Sequence, residues 1–230
     1  MGSNMTRQHE LPAGRFSSWL QRTREALAKG NGITVPCGEC TACCRSSYFI
    51  HIKPDEKRTL ARIPAELQFS APGLPAGTVL LGYDENGKCP MLIDDKCSIY
   101  EHRPLTCRSY DCRIFPAAGI AAIDDKALIT RQIQRWKFDY LTIYDRNQKA
   151  AIHEAAVFLQ THRKDFPAEF VPRNITQLAI LAITVYDVFY RYHFESGKSR
   201  ITLSNTEIAK AVIEAHRRFE ADMQHCHTRA

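Results

Sequence analysis

The chain has 230 residues, of which 44% are hydrophobic and 24% charged, with a formal net charge of +6. That is ordinary for a soluble globular protein, and long enough for one or two domains with a substantial core. The basic residues are scattered: only His216-Arg217-Arg218 and Arg131/Arg135/Lys137 form small groups, which read as solvated helix faces, so no nucleic-acid partner is expected.

At the N-terminus, Met1–Asn4 read as an expression remnant before a native Met5. No apolar run follows a basic start, so no secretory signal is expected and the cytoplasm is the default compartment. A first helix is predicted over Ser18–Lys29, with Trp19, Leu20, Ala26 and Leu27 sharing a face and Gly30 and Gly32 supplying the stop. A cysteine-dense loop opened by Pro36 follows. Tyr48–Ile52 is β-prone, and Pro54-Asp55-Glu56 reads as a helix start carrying Leu60 and Ile63.

Pro64, Pro72, Gly73, Pro75 and Gly77 then mark a broken, loop-rich passage. Residues 78–100 suggest short antiparallel strands. Thr78–Tyr83 meets a turn at Asp84-Glu85-Asn86-Gly87 and Lys88–Ile93 runs back, before a second turn at Asp94-Asp95-Lys96 delivers Cys97. Tyr100 and Pro104 read as a core ring and a rigid turn.

From about residue 125 the pattern becomes helical. Ile129, Ile133, Trp136, Tyr140 and Ile143 recur as one apolar stripe, and Ile152, Ala155, Ala156 and Leu159 form the next. Asn174 suggests a cap for Ile175–Tyr190, where 12 of 16 residues are apolar, the mark of a buried helix. Asp187 within it reads as a satisfied core carboxylate, and the short length argues against a membrane span. Ser204-x-x-Glu207 is a capping-box signature for a last helix with Ile208, Val212, Ala215 and Phe219 inward.

The expected organisation is an N-terminal helix (5–32), a cysteine-cluster metal-binding region (33–116), a helical region (117–224) and a tail (225–230). The fold class is mainly α: a cysteine-rich, loop-rich region with short strands, then a helical bundle.

The chemistry lies in the cysteines. Four occur in Cys37-Gly-Glu-Cys40-Thr-Ala-Cys43-Cys44, and four more at Cys89, Cys97, Cys107 and Cys112, so that eight fall within 76 residues. Disulfides would need an oxidising compartment, so metal ligation is the preferred reading. C-x2-C lets the backbone turn and aim amide hydrogens at the sulfurs, and a third cysteine two residues on extends the wrap. Cys43 and Cys44, as chain neighbours, project in diverging directions, which suggests two metal sites or one ligand beside a spare thiol. Eight thiolates around two divalent ions would leave a net charge of about +2, and four around a doubly positive iron–sulfur cube about +4. Three close thiolates plus a remote fourth suit an iron–sulfur cluster better than zinc, which usually takes two C-x2-C knuckles.

The stretch C-x2-C-x2-C-C, followed by Cys89-Pro-Met-Leu, Cys97-Ser-Ile-Tyr-x2-Arg-Pro-x2-Cys107-Arg and Cys112, resembles the bacterial YkgJ-type CxxCxxCC cysteine-cluster family over about residues 35–116. Members are described as zinc- or iron-chelating proteins and include flagellin lysine methylases, which carry the cluster within larger chains. The resemblance implies Cys37, Cys40, Cys43, Cys44, Cys89, Cys97, Cys107 and Cys112 as metal ligands, the same eight that spacing selects. It also implies a catalytic role for some members, with a protein or peptide as substrate. The part after residue 125 carries no such resemblance.

Other candidates are weaker. His51 and His102 could replace a cysteine, and His225-Cys226-His227 could bind a metal, although a frayed terminus explains that tail. Arg103 and Arg108 flank Cys107 and could serve thiolates or make ordinary ion pairs. An unligated thiol near Arg108 could act as a nucleophile. No phosphate loop, H-E-x-x-H, G-x-S-x-G, dinucleotide-site glycine turn or C-x3-C-x2-C occurs. Three readings stand: a cytoplasmic metal-binding protein, with an iron–sulfur cluster preferred over zinc, that supports modification of a protein or peptide; a non-enzymatic zinc-stabilised interaction module; and a metal storage or delivery protein.

Overall fold

The computed structural model describes residues 10–33, 35–70, 73–121, 123, 126–195 and 203–227, with the side chains of 195 and 223–227 left out. Met1–Asn4 and the side chains of His225, Cys226 and His227 thus fall outside what is described. The elements run β1 (Leu11–Arg15), α1 (Phe16–Lys29), β2 (Ile50–Ile52), α2 (Lys57–Leu60), β3 (Gln68–Phe69), β4 (Val79–Leu81), β5 (Leu92–Ile93) and β6 (Lys96–Cys97). They continue with α3 (Leu105–Ser109), α4 (Ile114–Ala117), α5 (Ala127–Arg135), β7 (Trp136–Asp139), α6 (Ile143–Thr161), α7 (Ile175–Tyr190) and α8 (Asn205–His227). The fold is mainly helical, with its short strands concentrated in the cysteine-rich stretch. The chain forms two compact units, one of Met1–Lys29, Arg113–Ile123 and Ile133–Ala230, the other of Gly30–Cys112 and Asp124–Gln132.

In the first unit α7 is the buried helix that its composition demands: Leu178, Ala179, Ala182, Ile183, Val185 and Phe189 are each at most 3% exposed. Asn174 Oδ1 accepts from the amides of Thr176 and Gln177 and caps it, satisfying donors that a helix start leaves open. Against it packs α6, whose Ile152, Ala155, Ala156 and Leu159 are all buried. The capping box of α8 forms as its sequence requires, with Ser204 Oγ accepting from the Glu207 amide and Glu207 Oε2 accepting from Ser204 N. Inward on α8 are Ala209 and Val212, with Ile208, Ala215 and Phe219 half-buried.

Five expectations need correction. The stripe from Ile129 to Ile143 is not one helix: α5 stops at Arg135, and Trp136–Asp139 runs extended as β7 beside β1. Phe138 then meets Phe16 and Trp19 at ring-centroid distances of 5.0 and 4.8 Å, and this aromatic burial outweighs the helical period. The β1–β7 pair is parallel, with an irregularity between Pro12 and Gly14, where a proline without an amide hydrogen and a glycine at φ +84° fit a bulge. Asp187 is not a core carboxylate. It is half-exposed, and its Oδ2 accepts from Arg24 Nη2 at 2.8 Å.

The remaining three corrections concern the second unit. Thr78–Tyr83 does not pair with Lys88–Ile93. Strand β4 instead lies between β2 and β3, antiparallel to both, because Leu81 reaches a small core with Ile52, Ile63, Met91 and Ile99. The Asp84–Gly87 turn does form, closed by Asp84 N to Lys88 O at 2.8 Å, and β5–β6 is the true hairpin, with Asp94 and Asp95 at positive φ. Tyr100 is no core ring: it is 50% exposed. Helix α2 is a single turn, so Ile63 lies beyond it.

One close approach in this unit carries a prediction. A Cβ on Gly32 would sit 2.5 Å from Arg108 Cβ and 3.0 Å from its carbonyl carbon, beside the Ile33 N to Arg108 O bond of 2.9 Å. Gly32→Ala should therefore destabilise this unit by about 1–3 kcal/mol, the usual result of overpacking. Equilibrium denaturation tests this, and an unchanged midpoint would show that the backbone yields freely.

Candidate metal centre

Seven of the eight candidate cysteines (Cys37, Cys40, Cys43, Cys44, Cys89, Cys97 and Cys107) line one cavity of about 990 Å³ in the second unit. The eighth, Cys112, is 5% exposed and acts electrostatically on Cys43. Short-range geometry explains the gathering. Cys40 N donates to Cys37 O at 3.0 Å, and Gly38 at φ +57° makes that C-x2-C turn possible. Cys43 and Cys44 share a single tight helical turn, Cys43–Arg45. Cys89 N donates to Cys44 O at 2.7 Å, and Cys97 sits opposite Leu92 in the β5–β6 hairpin.

Helix α3 brings Cys107. It is pinned from below by Glu56, whose Oε2 accepts from Leu105 N at 2.6 Å, and by Thr106 Oγ1 donating to His51 O at 2.6 Å. Glu56 also takes the ion pair of Arg108, at 3.9 Å. The two arginines beside Cys107 therefore divide: Arg108 serves Glu56, whereas Arg103 lines the cavity and its charge acts on the Cys107 thiol. Arg103 also lies 4.0 Å over the Tyr100 ring and donates to Tyr100 O, a contact that holds its cation at the cavity edge.

The charges acting on Cys43 and Cys44 overlap in Cys37 and Cys40 and differ in their leading members. Burial pushes the Cys43 pKa well up, and Cys112, Cys37, Cys40 and then Cys44 add to the rise. Burial pushes Cys44 to about 11, with Cys89 and Cys97 as its leading charged neighbours. Cys107 is exposed by area, yet burial of its sulfur, then Cys44, Cys89 and Cys97, raise it to about 12, with Arg103 pulling the other way. Cys89 is raised by burial and eased by hydrogen bonds from the Met91 and Leu92 amides. Without a cation these thiols keep their protons at neutral pH; soft thiolate sets with amide donors are what zinc and iron–sulfur centres use. In its chemistry the donor set suits either. Among the described residues, no three His, Cys, Asp or Glu side chains converge closely enough to hold a metal ion as they stand.

His51 and His102 do not line the cavity. Residues that the sequence did not single out for this site do. Tyr48 and Tyr110 stand with ring centroids 5.8 Å apart, and Tyr110 is pushed far up by burial and by Cys43. At the opening, Phe49 and Tyr83 are both exposed, with centroids 5.0 Å apart. Only the aromatic density of Tyr48-Phe49 hinted at this.

Among known proteins, the family model CxxCxxCC, described as "Putative zinc- or iron-chelating domain", matches residues 36–136. No curated protein and no solved structure matches the chain.

Proposed function

Taking residues 36–136 as a CxxCxxCC domain, we propose that this is a cysteine-cluster metal protein with two four-thiolate centres. One is formed by Cys37, Cys40, Cys43 and Cys112, the other by Cys44, Cys89, Cys97 and Cys107. What supports this is that Cys112 is the leading charged neighbour of Cys43 whereas Cys89 and Cys97 lead for Cys44, with Cys37 and Cys40 acting on both. Neighbouring residues on a tight turn diverge, so each serves one centre.

Iron–sulfur clusters are preferred to zinc. The cavity of about 990 Å³ is roomy for bare ions, and the distal cysteines form no second C-x2-C knuckle. Such a cluster supplies one-electron chemistry. The protein's part is to exclude water with Ile50, Leu81 and Met91, to donate amides to sulfur at Cys89, and to offset thiolate charge with Arg103. The aromatic opening at Phe49, Tyr83 and Tyr100 suits a protein or peptide segment, on which the centre supports modification. A sealed pair of zinc knuckles would need no such opening.

Protein prepared without oxygen should be brown, bleach on reduction, and contain iron matched by acid-labile sulfide. A colourless preparation with stoichiometric zinc would shift the function to a structural module. Cys43→Ser and Cys44→Ser should each lose about half of the bound metal, each sparing the other centre. Complete loss from both variants, with one site measured per chain, would dismiss the two-centre reading.

A further inference from the structure

The helical unit contains a second cavity, of about 570 Å³, formed by the start of α1 with faces of α6 and α7, and far more polar in character than the cysteine cavity. Its size falls within the range of small-molecule sites. Gln148 lines it and is 4% exposed. Its Nε2 donates to the Tyr186 hydroxyl oxygen at 3.2 Å, while its Oε1 is buried without a partner among the described residues. Turning the amide over moves the vacancy to nitrogen and does not remove it. A buried carboxamide with one end unsatisfied is destabilising by about 1–3 kcal/mol unless something fills the place.

Three charged side chains line it, Glu25, whose Oε1 accepts from Gln21 Nε2 at 2.9 Å, and two arginines that are unequal. Arg24 is used up within the fold, donating to Ile183 O, Thr184 O and Asp187 at 2.8, 3.1 and 2.8 Å. Arg15 is not: among the described residues only its Nε is engaged, with Asp145 Oδ1 at 3.3 Å, and its side chain is 42% exposed. The two terminal nitrogens of Arg15 remain as a planar pair, the fork that matches a carboxylate.

We propose that this cleft is a binding site for an α-amino carboxylate, with the carboxylate on the free edge of Arg15 and the Gln148 carboxamide turning to accept the α-nitrogen N–H on its unpaired Oε1. The shared chemistry is that of a free amino acid and of a peptide's carboxyl-terminal residue. Tyr144 and Tyr186 supply walls and hydroxyls for the remainder of the molecule.

Calorimetric titration of the full, reduced chain with free L-amino acids, and separately with their N-acetyl derivatives, tests this. At least one probe should give saturable heat with a Kd at or below about 1 mM. A preference for N-acetyl probes assigns a peptide end, and a preference for free ones an amino acid; both support the site. Converting the carboxylate of the best probe to a carboxamide should weaken it at least tenfold, a result independent of any variant's folding. Gln148→Leu should also weaken it about tenfold, as should Arg15→Lys, which keeps a cation for Asp145 but loses the fork. No saturable heat from any probe to about 10 mM, or equal affinity for acid and carboxamide, overturns the proposal.

Discussion

Chelating the metal under reducing conditions is expected to unfold the region from 33 to 112 while the helical signal from 133 to 223 stays largely in place. The expectation rests on how little else holds that region. Its core cluster has five buried side chains, Ile52, Ile63, Leu81, Met91 and Ile99, and two of the residues packed against it are Cys89 and Cys97. Its three-stranded sheet has strands of three, three and two residues, shorter than sheets that stand alone. The free energy of loading a four-thiolate site is on the order of 10 kcal/mol and becomes folding free energy where the empty site is unstable. The helical unit has its own core in α6 and α7 and contains none of the eight cysteines. Limited proteolysis with far-ultraviolet circular dichroism reads both parts at once. Undiminished protease resistance of residues 33–112 in the metal-free protein would sink the idea.

The parts of this structure that were legible in the sequence are those in which local and tertiary preferences agree. Helix α7 is apolar all round and was bound to be buried; Asn174 and the Ser204/Glu207 box mark helix starts by hydrogen bonds that need only neighbouring residues. The candidate ligands were legible because thiols are rare and their spacing is chemical. Illegible were pairings between remote stretches. Nothing periodic in Leu11–Arg15 announces a partner at Trp136–Asp139, and the latter continues a helical period by coincidence of Trp136 and Tyr140. Strand β4 took β2 and β3 rather than the nearer Lys88–Ile93, because register follows the buried face and Leu81 belongs with Ile52. The division of labour between Arg103 and Arg108 depended on Glu56, about fifty residues upstream. The Gln148 cleft had no sequence signal at all, since an orphaned amide is defined only by what surrounds it.

Asp145→Ala should be strongly destabilising for a polar substitution, lowering the stability of the helical unit by about 3 kcal/mol. The carboxylate is fully buried, and both oxygens are occupied. Oδ2 accepts from Thr142 N at 2.8 Å and Thr142 Oγ1 at 2.7 Å, and Oδ1 accepts from Ser17 N at 3.1 Å and Arg15 Nε at 3.3 Å. One group thus caps α6, in a capping box with Thr142, and also ties down the first turn of α1. Two helix N-termini favour its negative charge. Removing it leaves buried donors without acceptors, which is worse than losing an exposed cap. Burial pushes the Asp145 pKa up, but the hydrogen bonds from Ser17 and Thr142 outweigh it and hold the carboxyl well below the usual range. For a carboxyl depressed in the folded state, the stabilisation is fully present above the unfolded value near pH 4 and fades as pH falls toward the folded pKa. The wild-type helical signal should therefore lose stability from about pH 5 downward, and Asp145→Ala should flatten that acid limb as well as lower the plateau. Its melting temperature should fall by roughly 6–12 °C. Asp145→Asn, which keeps the shape but turns one acceptor into a donor, should lose about 2 kcal/mol. A loss below about 1 kcal/mol for the alanine variant, with the acid limb unchanged, would mean that the α1–α6 junction is held by the aromatic contacts of Phe16 and Trp19 instead.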